Sequence, residues 1–378
     1  MIKRNCLIIF GFFLLLLLVC LVRKPNFYRF VFSPQEMVGK YLKSQDIFDP
    51  QGNIKDRVII PDSDIYLASG YLYAIGKNPA DYNFQHPPLL KYLYGFSLIL
   101  FGNPYFLQII LGFLFITLTY FLGLKIARNY KISFVAAALM ILDPSTSSSI
   151  FNLSLDLGQS VFGIGFVLLF IYYPSLWLAQ GVLLGFLLAS KFWSMSLFIF
   201  VLLVAYRFLF LRNFRLIHLI KMLIAAIITY VATYLVFFTK GGNITAFFLL
   251  QLKMVKFMVS HDAVSTIGGQ LWLFISGFYN SWWNKGRLLR GDTWSAFWPI
   301  SLGALCFGLI QKKLRAVLVL PSIVIFGFFT ATLKGAPFTR YFVFITPYLY
   351  ISFAIVAYYL LTQIKKLQKI KRRIKLQI

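Results

Sequence analysis

Long apolar runs separated by short basic segments recur along this chain of 378 residues, and they limit what it can fold into. About 20 consecutive apolar residues in a helix cross the hydrocarbon core of a bilayer. Hydrophobic residues make up 60% of the sequence and charged residues 13%, whereas a soluble domain is usually about 45–50% apolar and about 25% charged. We therefore predict an all-α, polytopic membrane protein.

We predict about ten transmembrane helices. The first follows Lys3 and Arg4, and it is interpreted as a retained span because no small-residue cleavage site comes after it. The other nine are predicted near residues 105–126, 132–148, 157–173, 176–190, 192–211, 222–239, 295–310, 316–333 and 341–361. Residues 1–363 then form a transmembrane domain with large outer loops at 23–104 and 240–292, and residues 364–378 form a basic cytoplasmic tail.

Each large loop is predicted to contain a helix that lies along the membrane surface. In the first loop, the apolar segment 89–101 is too short to cross, and a crossing there would move the basic loop 125–131 outside, against the positive-inside tendency. In the second loop, residues 247–259 form an amphipathic run with Gln251, Lys253 and Lys256 on its polar side. The tryptophans of this region are expected at a membrane–water boundary, namely Trp272, Trp282, Trp283, Trp294 and Trp298.

The charges separate by side in this arrangement. The inner segments carry basic residues without an acidic one, and all 11 acidic residues fall on the outer side. The net charge of +26 therefore reflects membrane orientation, and no soluble basic domain is present that would favour nucleic acid as a partner. We expect the cytoplasmic membrane as the location, an active face on the outside, and contacts between the basic tail and anionic membrane lipids.

The stretch from Pro61 to Leu90 is a long polar and aromatic segment in the first outer loop. Asp62 and Asp64 lie close to Tyr66, and a carboxylate there can accept the proton of an attacking hydroxyl. The alternative is that both are solvated loop acids. His86, just before two prolines, is a candidate for binding phosphate or substrate, or it only caps the following helix.

Further candidates lie at the outer ends of predicted spans. Asp156 begins a span, where the helix dipole also favours a carboxylate for purely structural reasons. Lys191 ends an apolar helix, where an ammonium either reaches water along its stem or meets an anion. Arg340 and Tyr341 open the last span as a phosphate-binding pair or as an interfacial anchor. His261 lies in the second outer loop.

The order of these motifs resembles the GT-C membrane glycosyltransferases, in particular the protein mannosyltransferases and aminoarabinose transferases. The matching segments are D-x-x-x-Y from Asp62, H-P-P-L from His86, S-I-F-N-L-S-L-D-L-G ending at Gly158, G-x-x-x-G-x-x-x-x-S-K ending at Lys191, and R-Y-x-x-x-x-x-P from Arg340. Two positions depart from the pattern. Ser63 stands where the mannosyltransferases carry Glu, which keeps Asp64 open as a substitute, and Gln85 is not acidic, which puts a metal site in doubt.

The resemblance implies an inverting glycosyltransferase that moves a sugar, such as the hexose mannose, from a polyprenyl-phosphate donor to a hydroxyl of a protein, lipid or glycan acceptor. It implies that Asp62 is the base and that Asp156 helps to organise the site. Lys191, Arg340 and Tyr341 would bind the donor phosphate or substrate, together with His86 and His261. We assign no cofactor and no metal ligand, and a divalent metal remains an open alternative. The other class of function is a polytopic transporter or a flippase for lipid-linked sugars.

Overall fold

The computed structural model describes residues 2–47, 56–211, 215–262, 266–280 and 286–375. Within these ranges the chain is almost entirely helical, which confirms the predicted all-α class. The α-helices are α1 (Ile2–Arg23), α2 (Pro34–Leu42), α3 (Asp62–Ala74), α4 (Leu89–Phe101), α5 (Tyr105–Ala127), α6 (Tyr130–Leu142), α7 (Pro144–Phe151), α8 (Leu155–Tyr172), α9 (Trp177–Ser190), α10 (Ser194–Tyr206), α11 (Leu216–Ala232), α12 (Leu235–Thr239), α13 (Ile244–Asp262), α14 (Gly269–Ser276), α15 (Phe297–Ile310), α16 (Lys312–Ala331) and α17 (Thr346–Lys375).

Several short elements connect these helices. The 3₁₀-helices are Phe27–Arg29 and Thr339–Phe344, and a π-helical turn at Arg207–Leu211 extends α10. Strands β1 (Phe278–Asn280) and β2 (Leu288–Arg290) form a small antiparallel hairpin in the second predicted loop. The segment Thr339–Phe344 lies directly before α17, and it carries two of the predicted site residues.

Six helices in the described part of the chain are long and apolar enough to cross a membrane. They lie in α1, α5, α8, α16, α17 and the continuous helix 194–211. The pair α6 and α7 makes a seventh candidate if two helices bent by 55° count as one span. The other three predicted spans fall on α9, α11 and α15, which have only 14, 17 and 14 residues. By length and composition the protein is polytopic, and the predicted count of about ten spans is too high.

The helices of the two predicted outer loops have the expected sequence positions. The helix α4 covers residues 89–101 and begins immediately after the paired prolines. The helix α13 contains the whole amphipathic run 247–259. Their orientation along the membrane surface stays a prediction. At the end of the chain α17 continues through residue 375, so most of the basic tail is an extension of the last span.

The helix α8 is the most enclosed of the candidate spans, with 83% of its apolar window buried. Side chains from separate parts of the chain occupy the space beside its glycines. Leu90 of α4 lies against Gly158, and Phe344 of the last 3₁₀-helix lies against Gly163. Because glycine lacks a side chain, these elements approach α8 closely. Its N-terminal half therefore gathers segments that are far apart in sequence.

A close crossing fixes α3 against α4. A Cβ atom on Gly70 would overlap the carbonyl oxygen of Lys91, and one on Gly95 would overlap the carbonyl oxygen of Gly70. The two backbones are therefore in direct contact, as in other membrane helix pairs with small residues at the crossing. This contact sets the position of Asp62 and Tyr66 relative to the loop that precedes α4.

Gly181 and Gly185 lie at the contact between α9 and α11. A Cβ on Gly181 would overlap the carbonyl oxygen of Met222, and one on Gly185 would overlap Thr229. Both glycines therefore allow α11 to lie directly on α9. This contact supports the helix at whose end Lys191 is placed.

We predict that Gly95→Ala lowers the thermal stability of the protein in detergent. The added methyl group has no space between two backbones, and overpacking of this kind costs about 1–3 kcal/mol. Differential scanning fluorimetry measures the change, with Gly303→Ala in α15 as the matched control, since a Cβ there meets nothing within 4 Å. Equal unfolding temperatures for the two variants would show that the crossing does not depend on Gly95.

Candidate active site

A cavity of about 1120 Å³ lies between α3, α13, the loop that precedes α4, and the 3₁₀-helix Thr339–Phe344. Every segment that lines it was predicted to lie on the outer side of the membrane or at an outer end of a span. Five of the predicted site residues line it together: Asp62, His86, Lys191, Arg340 and Tyr341. The structure thus brings residues that are up to 279 positions apart in the sequence to one cavity.

The two candidate bases differ in their position. Asp62 is the first residue of α3, and its half-exposed carboxylate faces the cavity. Asp64 lies in the same first turn but is not among the lining residues, and it accepts a hydrogen bond from Ser63 Oγ at 3.3 Å. Of the two carboxylates, Asp62 is therefore the one placed to act on a molecule in the cavity.

Four charged side chains form a continuous network at the cavity wall. Arg340 Nη2 donates to Asp62 Oδ2 at 2.7 Å, and Arg340 Nε lies 3.6 Å from Asp156 Oδ2. Lys191 Nζ donates to the other oxygen of Asp156. The order is therefore Asp62, Arg340, Asp156, Lys191, with carboxylates and cations alternating.

Asp156 is the least exposed member of the network. Its side chain is 7% exposed and lies in the first turn of α8, as the sequence predicted. A carboxylate buried without partners would cost several kcal/mol, so its two cationic neighbours are required for its burial. Asp156 contacts both Arg340 and Lys191 and so fixes their positions, which agrees with an organising role.

The backbone around Arg340 is fixed independently of its charge. Thr339 O accepts from Ser145 Oγ at 3.1 Å, and the hydroxyls of Thr339 and Thr293 are 2.8 Å apart. Lys191 Nζ lies 3.8 Å from the ring centroid of Tyr341, which places an aromatic face beside the second cation. Burial opposes the charge of Arg340, but Tyr341, Asp156, Tyr66 and Asp62 outweigh it and hold its pKa above the usual value.

His86 is neutral at pH 7. Burial lowers its pKa well below 6.5, and the cations Lys191, Lys91 and Arg340 lower it further. Its ring packs edge-on against Tyr66, with centroids 6.2 Å apart. Among the described residues, His86 Nδ1 and Arg340 Nε are buried atoms that lack a hydrogen-bond partner, and both residues line the cavity. Such unsatisfied groups fit a polar ligand.

A network that the sequence reasoning missed supports the loop carrying His86. Lys91 Nζ is fully buried and donates to Asn83 O at 2.6 Å, to Asn83 Oδ1 at 3.0 Å and to His86 O at 2.8 Å. Asn83 and Gln85 in turn donate their amide hydrogens to Asp46 Oδ1. Burial lowers the pKa of Lys91 to about 7. The only sequence signal for this role is a lysine in an otherwise apolar helix.

The sequence reasoning also did not identify Asp143 as a second buried carboxylate with partners from distant parts of the chain. It follows α6 and caps α7 by accepting from Thr146 N at 2.9 Å. It also accepts from Tyr350 OH and, at 2.8 Å, from Trp298 Nε1. Trp298 is fully buried within the protein, so it is not an exposed side chain of the kind that anchors a helix at a membrane–water boundary. The indole is held inside because it satisfies a buried charge.

The remaining predicted ligand, His261, lies near the end of α13, and its side chain lies outside the described residues. In the described part of the chain, no group of three or more His, Cys, Asp or Glu side chains is arranged to hold a metal ion. No protein-family model matches this chain, and no curated protein matches it.

We predict that His86 makes the stability of the protein depend on pH. The unfolded chain takes up a proton near pH 6.5, whereas the folded protein keeps His86 neutral to lower pH. The contribution of neutral His86 to the free energy of unfolding is therefore complete above pH 6.5. As the pH drops below 6.5, this contribution decreases by at most about 1.4 kcal/mol per pH unit.

Thermal unfolding in detergent at pH 7.5, 6.5 and 5.5 measures this effect. His86→Gln should lose less stability than the wild type between pH 6.5 and 5.5. His218→Gln, on α11 and away from the cavity, is the control and should retain the wild-type dependence. A His86→Gln profile parallel to that of the wild type would contradict the assignment of a neutral His86.

Proposed function

We propose that this protein is an inverting glycosyltransferase of the GT-C type. It transfers a hexose, such as mannose, from a polyprenyl-phosphate donor to an acceptor hydroxyl at the outer face of the cytoplasmic membrane. The observation that carries the proposal is the meeting of Asp62, His86, Lys191 and Arg340 at one cavity. These residues belong to the separate motifs on which the resemblance rests. A transporter would not need a carboxylate and two cations arranged around a reaction centre.

The geometry supports a direct displacement. Asp62 takes the proton of the acceptor hydroxyl, and the acceptor oxygen forms a bond to the anomeric carbon of the sugar. The bond from that carbon to the phosphate oxygen breaks at the same time, and its electron pair leaves with the polyprenyl phosphate. Since the new bond forms on the face opposite the leaving group, the anomeric configuration is inverted.

Arg340 and Lys191 stabilise the phosphate that leaves. Both cations are oriented by Asp156, so their donors are in place before the substrate arrives, which is the condition for effective electrostatic stabilisation. Arg340 Nε lies 3.6 Å from Asp156 Oδ2 and makes no hydrogen bond there, so its N–H is a further donor for a phosphate oxygen. In the same complex, the neutral imidazole of His86 supplies a hydrogen bond to the sugar or phosphate without adding charge.

We predict that Asp62→Asn reduces sugar transfer by at least about a hundredfold, because general-base assistance is typically worth roughly 10²- to 10⁴-fold. The amide oxygen of Asn can still accept from Arg340, so the binding of undecaprenyl phosphate should change little. Transfer of radiolabelled mannose from polyprenyl-phosphate mannose to a cell-envelope fraction measures the effect. Asp64→Asn is the matched control and should retain most of the activity. Activity that is unchanged in Asp62→Asn would rule out the proposed mechanism.

We also predict that the cavity opens to the outside of the cell. A variant without Cys6, Cys20 and Cys306 allows labelling of single introduced cysteines with an impermeant thiol reagent. Asp81→Cys, in the loop after α3, should react in intact cells, whereas Lys131→Cys, at the start of α6, should react only after permeabilisation. The reverse pattern would place the cavity on the cytoplasmic side and exclude an outer-face reaction.

A further inference from the structure

The wall of the cavity formed by α13 is basic, although the proposed reaction leaves it without a role. The lining residues of this helix are Lys253, Lys256, Phe257, Met258 and Ser260. Residues 253, 256, 257 and 260 follow the spacing i, i+3, i+4, i+7, which places them on one face of a helix. The two lysines therefore face the same space as the catalytic network.

The other faces of α13 are accounted for by packing and by apolar exposure. Its buried face consists of Phe247, Leu250 and Met254. Its exposed apolar face consists of Phe248, Leu252 and Val259, which suits contact with lipid. If the two lysines only extended from a lipid-bound helix to water, they would not need to line a cavity. Their position on the cavity face indicates a ligand there.

This basic wall is held at a fixed place relative to the active site. Tyr230 OH of α11 donates to Gln251 Oε1 at 2.8 Å and so ties α13 to the helix bundle. Phe84 packs edge-on against Phe257, with centroids 5.8 Å apart, and Lys253 Nζ lies 4.0 Å from the Phe84 ring centroid. Phe84 is two residues before His86, so one loop contacts both walls.

Within the described residues, the two cations that α13 contributes to the cavity are not paired with carboxylates. Lys191 and Arg340 are compensated by Asp156 and Asp62. The rest of the lining contains Lys253 and Lys256 of α13 and the carboxylate of Asp46, whose oxygens accept hydrogen bonds from Tyr41, Asn83 and Gln85. Among the described residues, neither Lys253 nor Lys256 has a carboxylate within ion-pair distance. The wall of α13 thus carries excess positive charge.

From this charge and geometry we infer that Lys253 and Lys256 bind an anionic group of the acceptor, so that the acceptor is a phosphate-bearing glycan or lipid rather than a neutral one. The inference rests on the proposed function, because it assigns the chemistry of the second substrate. The donor phosphate is bound by Arg340 and Lys191, which belong to other elements of the cavity wall and lie next to the base Asp62. A second anion on α13 would hold the acceptor with its hydroxyl between the two walls.

The test measures binding of two probes to the full chain in nanodiscs of neutral phosphatidylcholine. A glycerol phosphate trimer, a soluble phosphodiester, represents the acceptor anion, and undecaprenyl phosphate represents the donor. The double variant Lys253→Gln/Lys256→Gln should bind the trimer at least about tenfold more weakly and undecaprenyl phosphate within about twofold of the wild type. Arg340→Ala should show the opposite pattern. The variant Lys77→Gln/Lys240→Gln, with the same change of charge at exposed lysines outside the cavity, should resemble the wild type.

Three results would overturn the inference. Equal weakening of both probes in the lysine double variant would assign the α13 wall to the donor. A wild-type protein that does not bind the trimer would exclude an anionic acceptor site. A preference of the wild type for phosphatidylglycerol discs that the double variant loses, without trimer binding, would assign the lysines to lipid headgroups. Failure of the proposed function would instead appear as undecaprenyl phosphate binding that does not depend on Arg340.

Discussion

The carboxylate of Asp156 is the buried charge on which the arrangement of the cavity depends. It lies in the first turn of the most enclosed helix and contacts one cation from the end of α9 and another from the segment before α17. A buried carboxylate is stable only while its partners remain. The three segments are therefore held together by the need to neutralise one charge as well as by apolar packing.

Close backbone contacts provide the framework in which these charges meet. Gly70 and Gly95 join α3 to α4, while Gly158 and Gly163 admit side chains of α4 and of the 3₁₀-helix next to α8. In a bilayer, packing rather than the hydrophobic effect drives helix association, so small residues at crossings carry much of the specificity. The segments that carry the site are consequently close to the core, although they belong to predicted loops.

The sequence predicted the helical membrane class, the bounds of α4 and the position of Asp156 at a helix start, because each depends on local pattern. It placed Asp62 in a loop, whereas Asp62 begins α3. It overestimated the number of candidate spans, since α9 and α15 are as apolar as the longer candidate helices but only 14 residues long. The resemblance to GT-C enzymes remains a prediction. The distant partners of Asp46 and Asp143 could not be predicted, because Asn83, Gln85, Trp298 and Tyr350 are uncharged residues far away in the sequence.

Such long-range partners also explain why Trp298 is buried within the protein. Tryptophan is amphipathic and is usually found at membrane boundaries, but its indole N–H is equally suited to a buried acceptor. Asp143 supplies that acceptor, and only the tertiary structure reveals the pair. The same reasoning applies to Lys91, whose three oxygen partners belong to a loop that it holds in place.

The anchoring of Thr339 has a consequence for how the cavity can respond to an incoming anion. Ser145 and Thr293 fix the residue just before Arg340, so the guanidinium can exchange Asp62 for another anion by rotation of its own side chain. The exchange replaces one ion pair with another, while the backbone and the buried carboxylate below it stay in place. Little reorganisation energy is then required, and the carboxylate released by the exchange is left beside the newly bound anion.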